Sequence, residues 1–102
     1  MLAQNKEQIF QLMKDNRDAL GGLGVYRFGL FGSFVTGKQN SESDVDLLVE
    51  FRPGRKSFDS FMSLAFLLED IFGRRVDLLT PESLSPYIGP KILAEVEYGL
   101  VD

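Results

Sequence analysis

VYRFGLFGSFVTGKQNSESDVDLLVEF, residues Val25 to Phe51, is the stretch on which the fold turns. Val25 to Phe31 is rich in aromatic and β-branched residues and reads as a strand. Gly32-Ser33 follows at once, with Ser33 placed to cap a short helix that ends near Gly37. Lys38 to Ser43 is polar and reads as a turn, and Val45 to Phe51 is a second strand. The link between these strands is short, so they are expected to run antiparallel. Glycine lets backbone approach a ligand closely, and free N–H groups at a helix start can hold phosphate oxygens. Asp44 and Asp46 stand two apart at the start of a strand, so their side chains share a face. A like-charged pair there is costly without cations, and Mg²⁺ takes one or two carboxylates alongside substrate phosphates. Each piece by itself also reads more plainly, as a capped turn or a solvated pair of acids.

Outward from this stretch the chain alternates helix and strand. Residues 4–17 read as an amphipathic helix, with Ile9, Phe10 and Met13 on one side. It belongs to an N-terminal segment, residues 1–20, ahead of a core over 25–98. Gly21, Gly22 and Gly24 are expected to end the helix and form a flexible link. Arg52, Arg55 and Lys56 lie in a basic loop with Pro53 and Gly54. Ser57 can cap a long helix over about 58–72, which Gly73 ends. Arg75 to Thr80 is a third strand, joined to the second by that helix and therefore expected to lie parallel to it. Pro81 and Pro86 mark a turn segment, and the last helix is expected from Pro90 to Tyr98. The class is α/β (α+β), a small mixed sheet covered by helices, in one domain spanning residues 1–102.

Asp77 is an acid in the middle of the third strand, where Asp is disfavoured. If the second and third strands are neighbours in parallel, Asp77 falls beside Asp44 and Asp46. Three carboxylates could then hold two Mg²⁺ ions, the arrangement used for in-line phosphoryl transfer. The plainer reading faces Asp77 to solvent or pairs it with Arg74 or Arg75.

Composition narrows the chemistry. The chain has 102 residues, 44% hydrophobic and 25% charged, with a net charge of −4. An acidic balance argues against a broad grip on nucleic acid. Cys and His are both absent, which removes disulfides, thiol nucleophiles, zinc clusters and any Ser-His arrangement. Acid–base work falls to carboxylates, Lys, Tyr or water. No signal peptide and no apolar run of about 18 residues is seen, so no membrane span is expected and the cytoplasm is the expected location.

Gly32-Ser33-Phe34-Val35-Thr36-Gly37, Ser43-Asp44-Val45-Asp46-Leu47-Leu48-Val49 and Val76-Asp77-Leu78-Leu79-Thr80 together resemble the minimal nucleotidyltransferases of the DNA polymerase β superfamily. The resemblance covers about residues 25–98 and implies a polymerase-β-like nucleotidyltransferase fold. It implies transfer of a nucleoside monophosphate from an NTP, expected to be ATP, to an acceptor hydroxyl with release of pyrophosphate. Asp44 and Asp46 match positions that bind both Mg²⁺ ions. Asp77 matches the position that binds the catalytic metal and helps activate the hydroxyl. Gly32 and Ser33 match the element that binds the triphosphate. Such small proteins often act as antitoxins to a HEPN-domain ribonuclease toxin, and some add AMP to a tyrosine of it. Thr36 departs from the pattern, which often has Arg there, and Thr cannot supply that charge. Lys38 lies close by in the chain.

The leading expectation is thus a Mg²⁺-dependent nucleotidyltransferase with a HEPN-type toxin as partner. The rival is a binding module that neutralises its toxin by contact alone. The helix over 58–72 is apolar beyond one face, which fits deep burial combined with a protein interface, in a homo- or hetero-oligomer. Tyr26, Tyr87 and Tyr98 are expected as half-buried rings.

Overall fold

The computed structural model describes residues 2–101; Met1 and Asp102, the ends of the expected 1–102 domain, lie outside the described residues. Its elements are α1 (Lys6–Asp15), α2 (Arg17–Gly22), β1 (Val25–Phe31), α3 (Ser33–Thr36), β2 (Val45–Phe51), α4 (Phe58–Phe72), β3 (Val76–Leu79), a 3₁₀ turn (Pro81–Ser83), α5 (Gly89–Glu95) and β4 (Glu97–Leu100). The four strands form one mixed sheet in the order β3-β2-β1-β4. β1 and β2 are antiparallel, β2 and β3 parallel, as their connections require. Among the described residues no helix is long and apolar enough to cross a membrane.

Local chemistry accounts for the long helix. Ser57 and Ser60 make a reciprocal capping box at the start of α4, and Gly73 ends it. Leu64, Leu68 and Phe72 of α4 are fully buried, with Ile9 and Met13 of α1 and Leu20 of α2. They cover one face of the sheet through Phe28, Leu30, Val45, Leu47, Val49 and Leu78. On the other face Phe31 and Leu48 pack with Ile92 of α5, flanked by Leu79, Leu84 and Val96. β2 is therefore covered on both sides, which is why it reads Val-Asp-Leu-Leu-Val with little polar alternation. The remaining apolar surface of α4 stays in solvent: Phe58 is 78% exposed and Phe66 65%.

Five expectations need correction. Tyr87 and Tyr98 are exposed, at 85% and 42%, rather than half-buried. The helix over 4–17 is two helices broken at Asn16, whose side-chain amide donates to the Leu12 carbonyl at 2.8 Å and competes with the helical ladder. Gly21 and Gly22 belong to the second of these, leaving Gly24 as the link. The last helix stops at Glu95, and Glu97 to Leu100 is a strand on the open edge of β1. Pairing with β1 overrides local helix preference here, and the bare faces of two glycines admit it. A Cβ on Gly29 would lie 2.3 Å from Val96, and Gly99 sits against the Phe28 ring. Ser33 is the first residue of α3 rather than its cap; Gly32 holds the cap position and no side chain caps that helix.

Arg74 fastens the end of the sheet that matters. It is 8% exposed, and its guanidinium donates to the carbonyls of Ala3, Asn40 and Ser43, the last two at 3.0 Å. It also stands over the Phe34 ring, 5.2 Å from the centroid. Three segments distant in sequence thus share one planar fork: the N-terminal strap, α3, and the turn that delivers Asp44. Replacing Arg74 by Met leaves buried carbonyls unpartnered and should cost about 3 kcal/mol. Thermal unfolding is expected to fall by about 10–20 °C; a change within a few degrees would contradict the clamp.

Candidate active site

The site lies where β1 ends and β2 and β3 begin. Asp46 pairs with Phe31 of β1 on one side and with Asp77 of β3 on the other. In adjacent strands paired residues project to the same face, so Asp46 and Asp77 are side by side. Asp44 stands two residues before Asp46, just ahead of β2. Asp44 and Asp77 are exposed, while Asp46 is half-buried. Burial pushes the Asp46 carboxyl up to about 6, with Asp77, Asp44 and Glu95 adding like-charge repulsion.

Gly32 completes the corner. Its φ of +76° with ψ of −150° is a conformation open essentially only to glycine. A Cβ there would fall 2.1 Å from Asp46 Oδ2, so the carboxylate rests against bare backbone. The Gly32 N–H donates to Glu95 Oε1 at 2.9 Å. The structure thus brings together Gly32, Asp44, Asp46 and Asp77 of the residues singled out from sequence, with Ser33 next in chain. It leaves Arg52, Arg55 and Lys56 at the far end of β2, where Arg55 donates to the Gly22 carbonyl and Lys56 pairs with Glu82. Arg74 binds carbonyls instead of Asp77. The Thr36 hydroxyl turns back on its own helix toward the carbonyls of Gly32 and Ser33, at 3.3 and 3.4 Å.

Glu95 is not among the residues the sequence singles out, because it falls inside the helix expected from Pro90 to Tyr98. The signal present was the period-two pattern Glu95-Val96-Glu97-Tyr98-Gly99-Leu100, which marks a helix giving way to a strand.

The donor set suits a hard divalent cation: carboxylate oxygens only, next to the side-chain-free backbone of Gly32. Among the described residues no three acidic side chains form a group that could hold a metal ion. Asp46 and Asp77 are neighbours by register, Gly32 lies against Asp46, and Asp44 is two residues before it.

Two outcomes test this geometry. Asp46 is protonated more readily in the folded protein than in the unfolded chain, so its ionised form costs stability above pH 6 or so and nothing below its ordinary value of 3.8. Solvent screening of a half-exposed group reduces that cost to about 1–2 kcal/mol. In Mg²⁺-free buffer Asp46→Asn should therefore melt about 5–10 °C higher than wild type at neutral pH, with the gain vanishing near pH 4. A lower melting point at neutral pH would refute the repulsion. Gly32→Ala should lose about 3 kcal/mol in denaturant unfolding, from backbone strain plus the clash with Asp46; a near-neutral result would mean the corner is not needed.

Comparison with known proteins gives the family. The nucleotidyltransferase domain family matches residues 8–98. Protein adenylyltransferase MntA of Thermococcus cleftensis is 43% identical over 75 residues, 74% of this chain and 75% of that protein. Among solved structures, a minimal nucleotidyltransferase superposes with a TM-score of 0.77 at 29% identity, covering 92% of this chain and 95% of its own. A toxin–antitoxin with AMP-PNP shares the fold with a TM-score of 0.66 at 23% identity, over 97% of this chain and 73% of that one. So does a complex of a tri-AMPylated Shewanella oneidensis HEPN toxin with its MNT antitoxin, with a TM-score of 0.55 at 18% identity, over 88% and 71%. With Gly32 against Asp46 and Asp46 beside Asp77 at the heart of the matched region, this chain belongs to the nucleotidyltransferase domain family.

Proposed function

We propose that this chain transfers AMP from ATP, with Mg²⁺, to a hydroxyl of a partner protein in the cytoplasm, and that the partner is a HEPN-type toxin which the transfer silences. The observation that carries this is the pairing of Asp46 with Asp77 beside the bare backbone of Gly32. The naming of MntA as a protein adenylyltransferase and the occurrence of the same fold in MNT–HEPN complexes support the substrate and partner.

Asp44, Asp46 and Asp77 are the residues that would hold two Mg²⁺ ions. Bound Mg²⁺ supplies neutralising charge for the triphosphate and acidifies the acceptor hydroxyl. The Gly32-Ser33 backbone binds phosphate oxygens and holds the α-phosphate in line with the acceptor. Asp77, on the edge strand, receives the acceptor hydroxyl and orients it for attack. The new bond joins the hydroxyl oxygen to the α-phosphorus, the bond to the bridging oxygen breaks, and pyrophosphate leaves with its electron pair. The hydroxyl proton passes to a carboxylate and on to water.

The second reading, neutralisation by contact alone, draws on Thr36, whose hydroxyl is engaged by its own helix, and on the exposed Phe58 and Phe66. One experiment separates the two. The protein is incubated with a purified HEPN-domain partner and ATP labelled at the α-phosphate. Label is expected on the partner, lost with EDTA, absent with γ-labelled ATP, and reduced at least about 10³-fold by Asp46→Ala. Wild type labelling no better than Asp46→Ala would sink the transferase reading. Neutralisation that survives replacement of all three aspartates would establish the contact reading.

A further inference from the structure

Glu95 is the last residue of α5, and its carboxylate holds the N–H of Gly32 at 2.9 Å. This amide belongs to the corner that receives phosphate in the proposed function, on which the following inference rests. Two carboxylates therefore flank one glycine: Glu95 at its amide and Asp46 against its Cα. Glu95 adds to the repulsion felt by Asp46. The contact is held from behind by packing. Ile92 and Val96 seat α5 on Phe31 and Leu48, and Val96 lies on the bare face of Gly29 as the chain turns into β4. A charged oxygen at hydrogen-bond distance from a backbone amide has the chemistry of a phosphate oxygen in the same place.

We propose that Glu95 is a residue of the nucleotide site: it occupies the Gly32 amide in place of a substrate phosphate oxygen and is released from it when the triphosphate binds. Its charge sets how tightly the site takes a triphosphate. Its charge adds to those of Asp44 and Asp77 around Asp46, which repels a bare polyanion and admits one whose charge is offset by a divalent cation.

Two substitutions separate this role from its rivals. Glu95→Gln keeps an oxygen that can accept the Gly32 N–H and removes the charge; Glu95→Ala removes both. Binding of a fluorescent N-methylanthraniloyl ATP is followed by anisotropy, with Ca²⁺ replacing Mg²⁺ to suppress turnover, and thermal unfolding checks that each variant is folded. Glu95→Gln should bind the nucleotide about 5–20-fold more tightly than wild type, and the gain should be larger when divalent cation is scarce. Glu95→Ala should bind at least as tightly as Glu95→Gln. If Glu95 were only a structural tether, Glu95→Gln would bind like wild type. If it were a metal ligand, both variants would bind more weakly. Either result overturns the proposal while leaving the nucleotidyltransferase reading intact. Failure of wild type and both variants to bind the nucleotide at all would overturn that reading and this one together. Should Glu95→Ala fail to fold, the Glu95→Gln result decides by itself.

Discussion

A carboxylate pressed against a glycine is the contact around which this end of the molecule is arranged. Asp46 is half-buried, flanked by like charges, and close enough to Gly32 that no side chain could stand between them. Such a contact is unfavourable by itself. It persists because β2 is wedged between two apolar layers, with Leu47 and Val49 on one side and Leu48 on the other. The hydrophobic core fixes the strand, and the strand fixes the carboxylate. This is stored electrostatic strain of the kind that a cation or a cation-loaded substrate relieves.

The supports around that contact divide into two kinds. Arg74 works from the α4 side, gathering the N-terminal strap, α3 and the turn before Asp44 onto one guanidinium. It is a buried cation that meets carbonyl oxygens and an aromatic face. Its role is to hold backbone in place, through those carbonyls and the Phe34 ring. Helix α5 works from the opposite face and brings a further carboxylate to Gly32 through Glu95. The first support is a backbone clamp, and the second adds to the like charge around Asp46.

Much of the site was legible in the chain because its parts are local. The strand before Gly32-Ser33, the polar turn and the Asp44-Val45-Asp46 repeat lie within one hairpin, where spacing alone dictates which side chains share a face. The antiparallel β1–β2 pair follows from a short link and the parallel β2–β3 pair from a helical crossover. Capping of α4 by Ser57 is equally local. The break at Asn16 was hidden because the periodicity of apolar residues runs on past it, while a single side-chain hydrogen bond decides it.

The sequence by itself determined the class of fold and three of the carboxylates, because hydrophobic period, turn residues and an acid within an apolar strand each have a cost that only a few arrangements meet. Only the tertiary structure decided that Glu97 to Leu100 would be a strand, since that choice depends on an unfilled edge of β1 far away in the chain. It likewise decided the partner of the Gly32 amide. Glu95 lies 63 positions further along the chain, and no local pattern joins it to Gly32. Their meeting depends on glycines at 29 and 99 leaving room for the α5–β4 link and strand β4 to lie against the sheet, a constraint of volume that becomes visible only when both chains of packing are in place.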